Sequence, residues 1–189
     1  MKSITLPDSL QTARLRLRGP LPADIAEFHA AFVESLPALR PWFVWAHFTP
    51  TLETSAAFVT ESHRGFQENR QVDWFLFLKE TETLIGVISI HGAGFAQIDW
   101  LHTTQLLTYW LRTGYTGQGY MTEAVAAVVE FAFAVPASKR LEIHCNVANA
   151  PSAAVAKRLG FVYRETIPDG PTFDDVYVKE RRAVASNAQ

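Results

Sequence analysis

Residues 109–122 read YWLRTGYTGQGYMT and form the most informative segment of the chain. The segment places Gly114, Gly117 and Gly119 between a predicted strand and the start of a predicted helix. Glycines at such a junction let backbone N–H groups converge on an anion at the positively polarised end of the helix. The pattern therefore predicts a diphosphate site, to which the hydroxyl of Thr122 in the first helical turn adds a contact.

Two common phosphate-binding templates do not fit this segment. A P-loop requires Gly-Lys-Ser/Thr after its second glycine, whereas Gln118, Gly119 and Tyr120 supply no lysine. A dinucleotide-binding turn requires G-x-G-x-x-G in a parallel βαβ unit near the start of the chain, whereas here G-x-x-G-x-G follows antiparallel strands. The alternative interpretation, a tight turn that binds no ligand, is also compatible with the sequence.

Hydrophobic periodicity around this segment predicts the fold class. The order is β–α–α–β–β–β–α–β–α–β–β, which indicates a mixed α/β layer architecture. On one face of the helix after the glycines lie Met121, Val125, Val128 and Ala132. We expect strands over 12–18, 73–79, 84–91, 105–112, 140–147, 161–166 and 173–179, and helices from Pro22, over 52–68, 120–134 and 149–159.

Length and composition exclude several classes of protein. The 189 residues carry a net charge of −2, so no excess of positive charge is present to hold a nucleic-acid backbone. The single cysteine excludes an internal disulfide and a multi-cysteine metal site. No run of eighteen apolar residues and no apolar leader is present. We expect a soluble cytoplasmic protein without a metal or membrane partner, with a lead-in of 1–11, one domain over 12–180 and a tail of 181–189.

Residues 39–48, LRPWFVWAHF, concentrate large rings in a predicted loop between the first two helices. Such a segment suits either a lid over the core or a wall for an apolar ligand or peptide. Both interpretations stay open from the sequence.

Several ordered motifs resemble those of the GNAT N-acetyltransferase superfamily. Gly117-Gln118-Gly119 followed by Tyr-Met-Thr-Glu-Ala is similar to its acetyl-CoA pyrophosphate loop, and Asn149-Ala-Pro-Ser152 with Leu159-Gly160-Phe161 is similar to a downstream signature. The stretches 13–18 and 39–42 are similar to the RimJ/RimL branch, which acetylates the N-termini of ribosomal proteins. The resemblance covers residues 12–180 and implies a mixed, mostly antiparallel twisted sheet flanked by helices. Leu106 stands where this branch often has a glutamate, and Gly114 where an Arg or Gln is common.

The resemblance also implies roles for individual residues. Ser152 would donate a proton to the departing thiolate, although it also suits a polar residue in the first turn of a helix. Asn149 would bind the pantetheine arm or cap that helix. The arm would pair with Tyr109, Trp110 and Leu111, while the diphosphate would be held by the backbone N–H groups of Thr116, Gly117, Gln118, Gly119 and Tyr120 with Thr122.

The general base has no signature in the sequence. His91, Asp99, His102 and His144 are candidates by residue type only, and an ordered water can serve instead. Cys145 is interpreted as a buried small hydrophobe rather than a nucleophile, which favours direct transfer.

Three functions follow as hypotheses. The first is an acetyl-CoA-dependent N-acetyltransferase acting on the N-terminal amine of a protein, in particular a ribosomal one. The second transfers acetyl to a small amine such as an antibiotic, polyamine or amino acid. The third is a non-catalytic CoA-binding module. An apolar final strand pair is compatible with a homodimer.

Overall fold

The computed structural model describes residues 6–92 and 104–181, and its mixed α/β architecture confirms the predicted fold class. The elements are β1 (Ser9–Gln11), β2 (Leu15–Arg18), α1 (Ile25–Leu39), α2 (Leu52–Gln67), β3 (Val72–Leu78), β4 (Leu84–Gly92), β5 (Thr104–Leu111), α3 (Tyr120–Ala134), β6 (Arg140–Asn146), α4 (Ala150–Arg158), β7 (Val162–Asp169) and β8 (Thr172–Glu180).

Several boundaries differ from the sequence prediction: β2 begins at Leu15 and not at residue 12, and α1 begins at Ile25, after a 3-10 turn over Pro22–Asp24. Residues 9–11 form β1, which pairs with β2 although the segment was expected to be a loose lead-in. Three residues with one apolar side chain are too few for a periodic pattern to predict a strand. The segment becomes a strand because it pairs with β2. β7 begins after Phe161 and continues to Asp169, because it pairs with β8 along its whole length.

One eight-stranded sheet organises the described part of the chain, in the order β1-β2-β3-β4-β5-β6-β8-β7. The β5–β6 pair is parallel and every other pair is antiparallel. The parallel pairing ends at Leu107 and Ile143, yet β5 continues along β4 to Leu111 and β6 continues along β8 to Asn146. The sheet therefore splits, and we call the gap between residues 108–111 and 144–146 the slot.

The core lies on both faces of the sheet. One face packs against α3 and α4, and the predicted stripe of Met121, Val125, Val128 and Ala132 is buried there. The other face packs against α1 and α2 through Phe28, Val59 and Phe75. Because side chains alternate along a strand, β5 contributes to both faces.

The start of α2 is fixed by Thr51, as its capping residue type predicts. The Thr51 hydroxyl accepts a hydrogen bond from the backbone N–H of Thr54 at 3.1 Å, and the Thr54 hydroxyl accepts one from the backbone N–H of Thr51 at 2.9 Å. These two bonds satisfy donors that a helix start otherwise leaves unpaired.

Replacing Thr51 with alanine is expected to lower the free energy of unfolding by about 1 kcal/mol, because the cap is lost. Urea unfolding followed by circular dichroism measures the change, and Thr51→Ser is the control that keeps the hydroxyl. A midpoint equal to that of the unmodified protein would contradict the capping role.

Within the described residues, no helix is both long and apolar enough to cross a membrane.

Candidate functional site

A cavity of about 1130 Å³ runs through the slot and is lined by residues from both faces of the sheet. One end is lined by the turn before α3, the middle by β5, β6 and the start of α4, and the other end by aromatic residues of the α1–α2 connection. The cavity therefore brings the glycine turn and the adjoining strand edge together with the aromatic segment, which lies far earlier in the sequence.

The glycine turn has the geometry of an anion site. Gly117 and Gly119 adopt left-handed backbone conformations with φ of +75° and +81°, and no heavy atom lies within 4 Å of the position a Cβ would take at Gly117. In the described residues, the backbone N–H groups of residues 117–122 have no acceptor in the protein. Unpaired N–H groups at a helix N-terminus attract negative charge.

The turn is tied to the first strands of the sheet by Arg14. Its Nε lies 2.7 Å from Glu123 Oε2, its Nη1 donates to the Gln118 carbonyl at 3.1 Å, and its guanidinium lies over the Tyr120 ring at 4.3 Å. Burial raises the pKa of Glu123, but hydrogen bonds from Thr12 and Arg14 outweigh it and hold that pKa below its ordinary value. The start of α3 is thereby fixed while its N–H groups stay open to the cavity.

Along the slot, the edge of β5 offers backbone groups to a ligand. Tyr109, Trp110 and Leu111 pair with β4 on one side and lie beyond the last β6 partner on the other. Their side chains alternate, so that Trp110 contacts Phe28 and Phe32 on the α1 side. The opening can take one extended strand-like chain, as the sequence analysis expects of a pantetheine arm.

Ser152 meets Tyr109 at the middle of the cavity. The two hydroxyl oxygens are 3.0 Å apart, and the Tyr109 hydroxyl also donates to the Ser152 carbonyl at 3.3 Å. Burial raises the pKa of Tyr109, so its phenol stays protonated at neutral pH. Asn149 caps α4 by accepting from the Ser152 backbone N–H at 3.2 Å, and both residues line the cavity.

Cys145 is buried in β6 beside this pair. Burial raises the pKa of its thiol to about 11, against a hydrogen bond with Ser152 that lowers it. The thiol is therefore neutral at physiological pH, the poorly nucleophilic form.

Two of the sequence-based base candidates line the cavity, and two lie outside the described residues. His91 Nε2 is 2.9 Å from Thr108 Oγ1, and burial lowers the pKa of His91 despite the nearby charge of Asp73. His144 Nε2 is 2.8 Å from Glu142 Oε2. Asp99 and His102 are outside the described residues.

The aromatic segment acts both as a cover and as a wall. Ala46 is buried in a cluster with Leu36 and Leu39 at the end of α1, which fits the lid interpretation. Trp42, Phe43 and Trp45 line the cavity, and the Phe43 and Trp45 rings stack with centroids 4.6 Å apart. The two interpretations are therefore compatible.

Sequence reasoning missed Asp73, a buried carboxyl on β3 that lines the aromatic end of the cavity. It also missed the contact between the Tyr109 hydroxyl and Ser152 and the Arg14–Glu123 pair. The partners are 43 and 109 residues apart, and no local pattern indicates such contacts. Among the described residues, no group of three His, Cys, Asp or Glu side chains could hold a metal ion.

Comparisons with known proteins agree with this geometry. The ribosomal-protein-serine acetyltransferase of Escherichia coli is 34% identical over 103 residues, which are 54% of this chain and 54% of that protein. The chain thus spans about half the length of this curated relative.

Solved structures share the fold. RimL, a ribosomal L7/L12 α-N-protein acetyltransferase in complex with coenzyme A, superposes with a TM-score of 0.81 at 19% identity, covering 91% of this chain and 97% of that one. The microcin C7 self-immunity acetyltransferase MccE, in complex with acetyl-CoA and AMP, gives a TM-score of 0.82 at 22% identity, covering 93% of this chain and 98% of that one.

The family assignment rests on a family match that covers well over half of the chain. Residues 14–162 match the acetyltransferase (GNAT) domain family, a range that includes the glycine turn, the slot and Ser152. The chain therefore belongs to the GNAT acetyltransferase domain family.

Proposed function

We propose that the protein is an acetyl-CoA-dependent N-acetyltransferase that transfers acetyl directly to a primary amine, with residues 12–180 as the transferase domain. The observation that carries the proposal is the slot. It joins an anion-binding turn at one end to the Ser152–Tyr109 hydroxyl pair at its middle and an aromatic-walled chamber at the other end.

Coenzyme A fits this arrangement from end to end. The open N–H groups of residues 117–120 hold the diphosphate, and Thr122 adds its hydroxyl. The N–H group of Thr116, which was also predicted to bind the diphosphate, instead donates to the Thr113 carbonyl at 3.4 Å. The pantetheine arm lies along the free edge of Tyr109, Trp110 and Leu111 as an added strand, with Asn149 beside it. The thioester then reaches the neighbourhood of Ser152.

The chemistry follows from the groups at that point. A backbone N–H on the β5 edge polarises the thioester carbonyl, and the neutral amine attacks its carbon. The new C–N bond forms as the C–S bond breaks, the amine loses a proton to water or to a histidine, and Ser152 supplies a proton to the thiolate. The Tyr109 hydroxyl orients Ser152, and a proton from solvent restores the serine hydroxyl after the thiol leaves.

The acceptor we favour is the N-terminal amine of a protein, in particular a ribosomal one. Support comes from the similarity to the Escherichia coli ribosomal-protein-serine acetyltransferase and to RimL, and from the aromatic wall at Trp42, Phe43 and Trp45. The similarity to MccE supports the second candidate, a small-molecule amine as acceptor. A cytoplasmic setting, a homodimer and the lack of nucleic-acid or membrane partners remain predictions.

An acceptor screen tests the proposal. Acetyl-CoA is incubated with the protein and a panel of peptide N-termini and small amines, and release of free CoA thiol is measured. Turnover on peptides together with altered ribosomal-protein N-termini in a deletion strain, measured by mass spectrometry, supports the favoured acceptor. Turnover on small amines alone supports the second. Tight CoA binding without turnover on any acceptor would leave a non-catalytic CoA-binding module and refute the proposal.

Cys145→Ala is expected to keep kcat within about twofold, because a neutral thiol forms no acetyl-enzyme intermediate. In the unmodified protein, we expect alkylation of Cys145 by iodoacetamide at pH 8 to be far slower than that of free cysteine, since burial raises the thiol pKa to about 11. Steady-state kinetics checks the first point and intact-mass spectrometry the second. A mass increase of one acetyl group on the unmodified protein, absent from the variant, would show a cysteine intermediate instead.

A further inference from the structure

Asp73 is the most deeply buried acidic group that lines the cavity. Its relative exposure is 2%, and it lies on β3 opposite Ser89 of β4. The hydroxyls of Ser62 and Ser89 and the side-chain amide of Gln71 donate hydrogen bonds to its two oxygens. Both carboxylate oxygens of Asp73 are therefore engaged by neutral hydrogen-bond donors.

The charge of this carboxylate has no cationic partner in the part of the chain that the structure describes. None of its three hydrogen-bond donors is charged, and none of the salt bridges includes it. Burial lowers the pKa of His91, although the charge of Asp73 acts in the opposite direction. Because a buried charge is costly unless a counter-charge compensates it, this arrangement indicates a positive group supplied from outside.

The cavity beside Asp73 is shaped to accept such a group. Phe58 lies one helical turn before Ser62 on α2 and lines the same chamber as Trp45 and Trp110. The faces of aromatic rings attract cations and also pack against a methylene chain. The chamber thus combines the carboxylate of Asp73 with aromatic side chains that line the same space.

The sheet register sets the distance between Asp73 and the reacting centre. Asp73 faces Ser89, and Ser89 faces Thr108, the residue before Tyr109. Two strand spacings separate the backbone of Asp73 from that of Thr108, about 10 Å. An ammonium held by Asp73 thus lies two strands away from the β5 edge at which the proposed thioester would bind.

We propose that Asp73 selects acceptors that carry a second, non-reacting positive group, which binds in the aromatic chamber while the first amine receives the acetyl group. The inference rests on the proposed function for its reaction, but the cation site stands on Asp73 and its surroundings. The second positive group can belong to a lysine or arginine near a peptide N-terminus or to a small diamine.

The test uses matched acceptors in two arms. The peptide arm compares two heptapeptides that begin with Ser-Ala and differ only at the third position, which is lysine in one and norleucine in the other. The small-molecule arm compares 1,8-diaminooctane with octylamine. For the unmodified protein, we expect kcat/KM to be higher for the charged member of a pair by roughly 10- to 100-fold. Preference in the peptide arm or in the diamine arm identifies the source of the charge.

Asp73→Asn keeps the shape of the side chain while removing its charge. It is expected to abolish the preference by lowering kcat/KM for the charged acceptor and leaving the uncharged one within about threefold. If the variant does not fold, the unmodified protein alone still tests the proposal. Equal kcat/KM for the charged and the uncharged acceptor in both pairs would overturn it.

Calorimetry with the protein saturated by CoA separates this inference from the proposed transfer reaction. Binding of 1,8-diaminooctane to the unmodified protein but not to Asp73→Asn supports the cation site even if no acceptor is acetylated. Equal affinities for the diamine and octylamine would overturn the site even if acetyl transfer is observed.

Discussion

Gly117→Asp is expected to abolish coenzyme A binding while leaving the fold intact. Gly117 adopts φ of +75°, and its Cα faces open space in front of the unpaired N–H groups of the turn. An aspartate there brings a carboxylate within roughly 5 Å of two phosphate charges, a repulsion of several kcal/mol at an effective dielectric constant of about 20. Such a penalty corresponds to a loss of affinity of about 100-fold or more.

Isothermal calorimetry with CoA measures the effect, and Gly114→Ala is the matched control. Gly114 lies in the same turn, has no heavy atom within 4 Å of the position a Cβ would take and does not adopt a positive φ, so alanine there should bind CoA normally. Circular dichroism verifies that both variants fold. CoA affinity in Gly117→Asp equal to that in the unmodified protein would remove the turn from the binding site.

Ser152→Ala is expected to lower the rate of acetyl transfer about 100-fold with little change in acetyl-CoA affinity, since a general acid acts only as the C–S bond breaks. The serine hydroxyl lies 3.0 Å from the Tyr109 hydroxyl and lines the cavity. Its removal leaves Asn149 able to cap α4, because that bond uses the Ser152 backbone N–H. The helix start is therefore preserved.

Single-turnover kinetics and equilibrium binding separate the two effects. Tyr109→Phe serves as the comparison, because it keeps the ring on β5 and removes only the hydroxyl that orients Ser152. We expect a smaller fall in the transfer rate for this variant than for Ser152→Ala. Equal losses of rate and of acetyl-CoA affinity in Ser152→Ala, or no loss at all, would count against the proton-donating role.

Much of the fold could be predicted from local pattern. The helix over Tyr120–Ala134 has the expected bounds, because its apolar stripe has helical spacing and glycine precedes it. Gly160 ends the following helix region with φ of +75°, as a C-terminal glycine predicts. Each of these features depends on residues within a few positions of one another.

The features that the sequence did not predict depend on distant partners. The split between β5 and β6 arises where two strands diverge after Leu107 and Ile143, and period-two alternation is the same in paired and unpaired strands. Asp73 is the first residue of the predicted strand over 73–79, and nothing near it in the sequence indicates burial, yet Ser62 and Ser89 from two other elements donate hydrogen bonds to it. Tertiary packing alone turns that residue into part of the cavity.

The anion-binding turn is the central element of the account, and a crystal structure of the protein with bound coenzyme A tests it most directly. We expect the diphosphate oxygens within hydrogen-bond distance of the backbone nitrogens of residues 117–120 and the pantetheine arm in the slot beside Tyr109. Coenzyme A bound elsewhere, with these nitrogens facing solvent, would contradict the account.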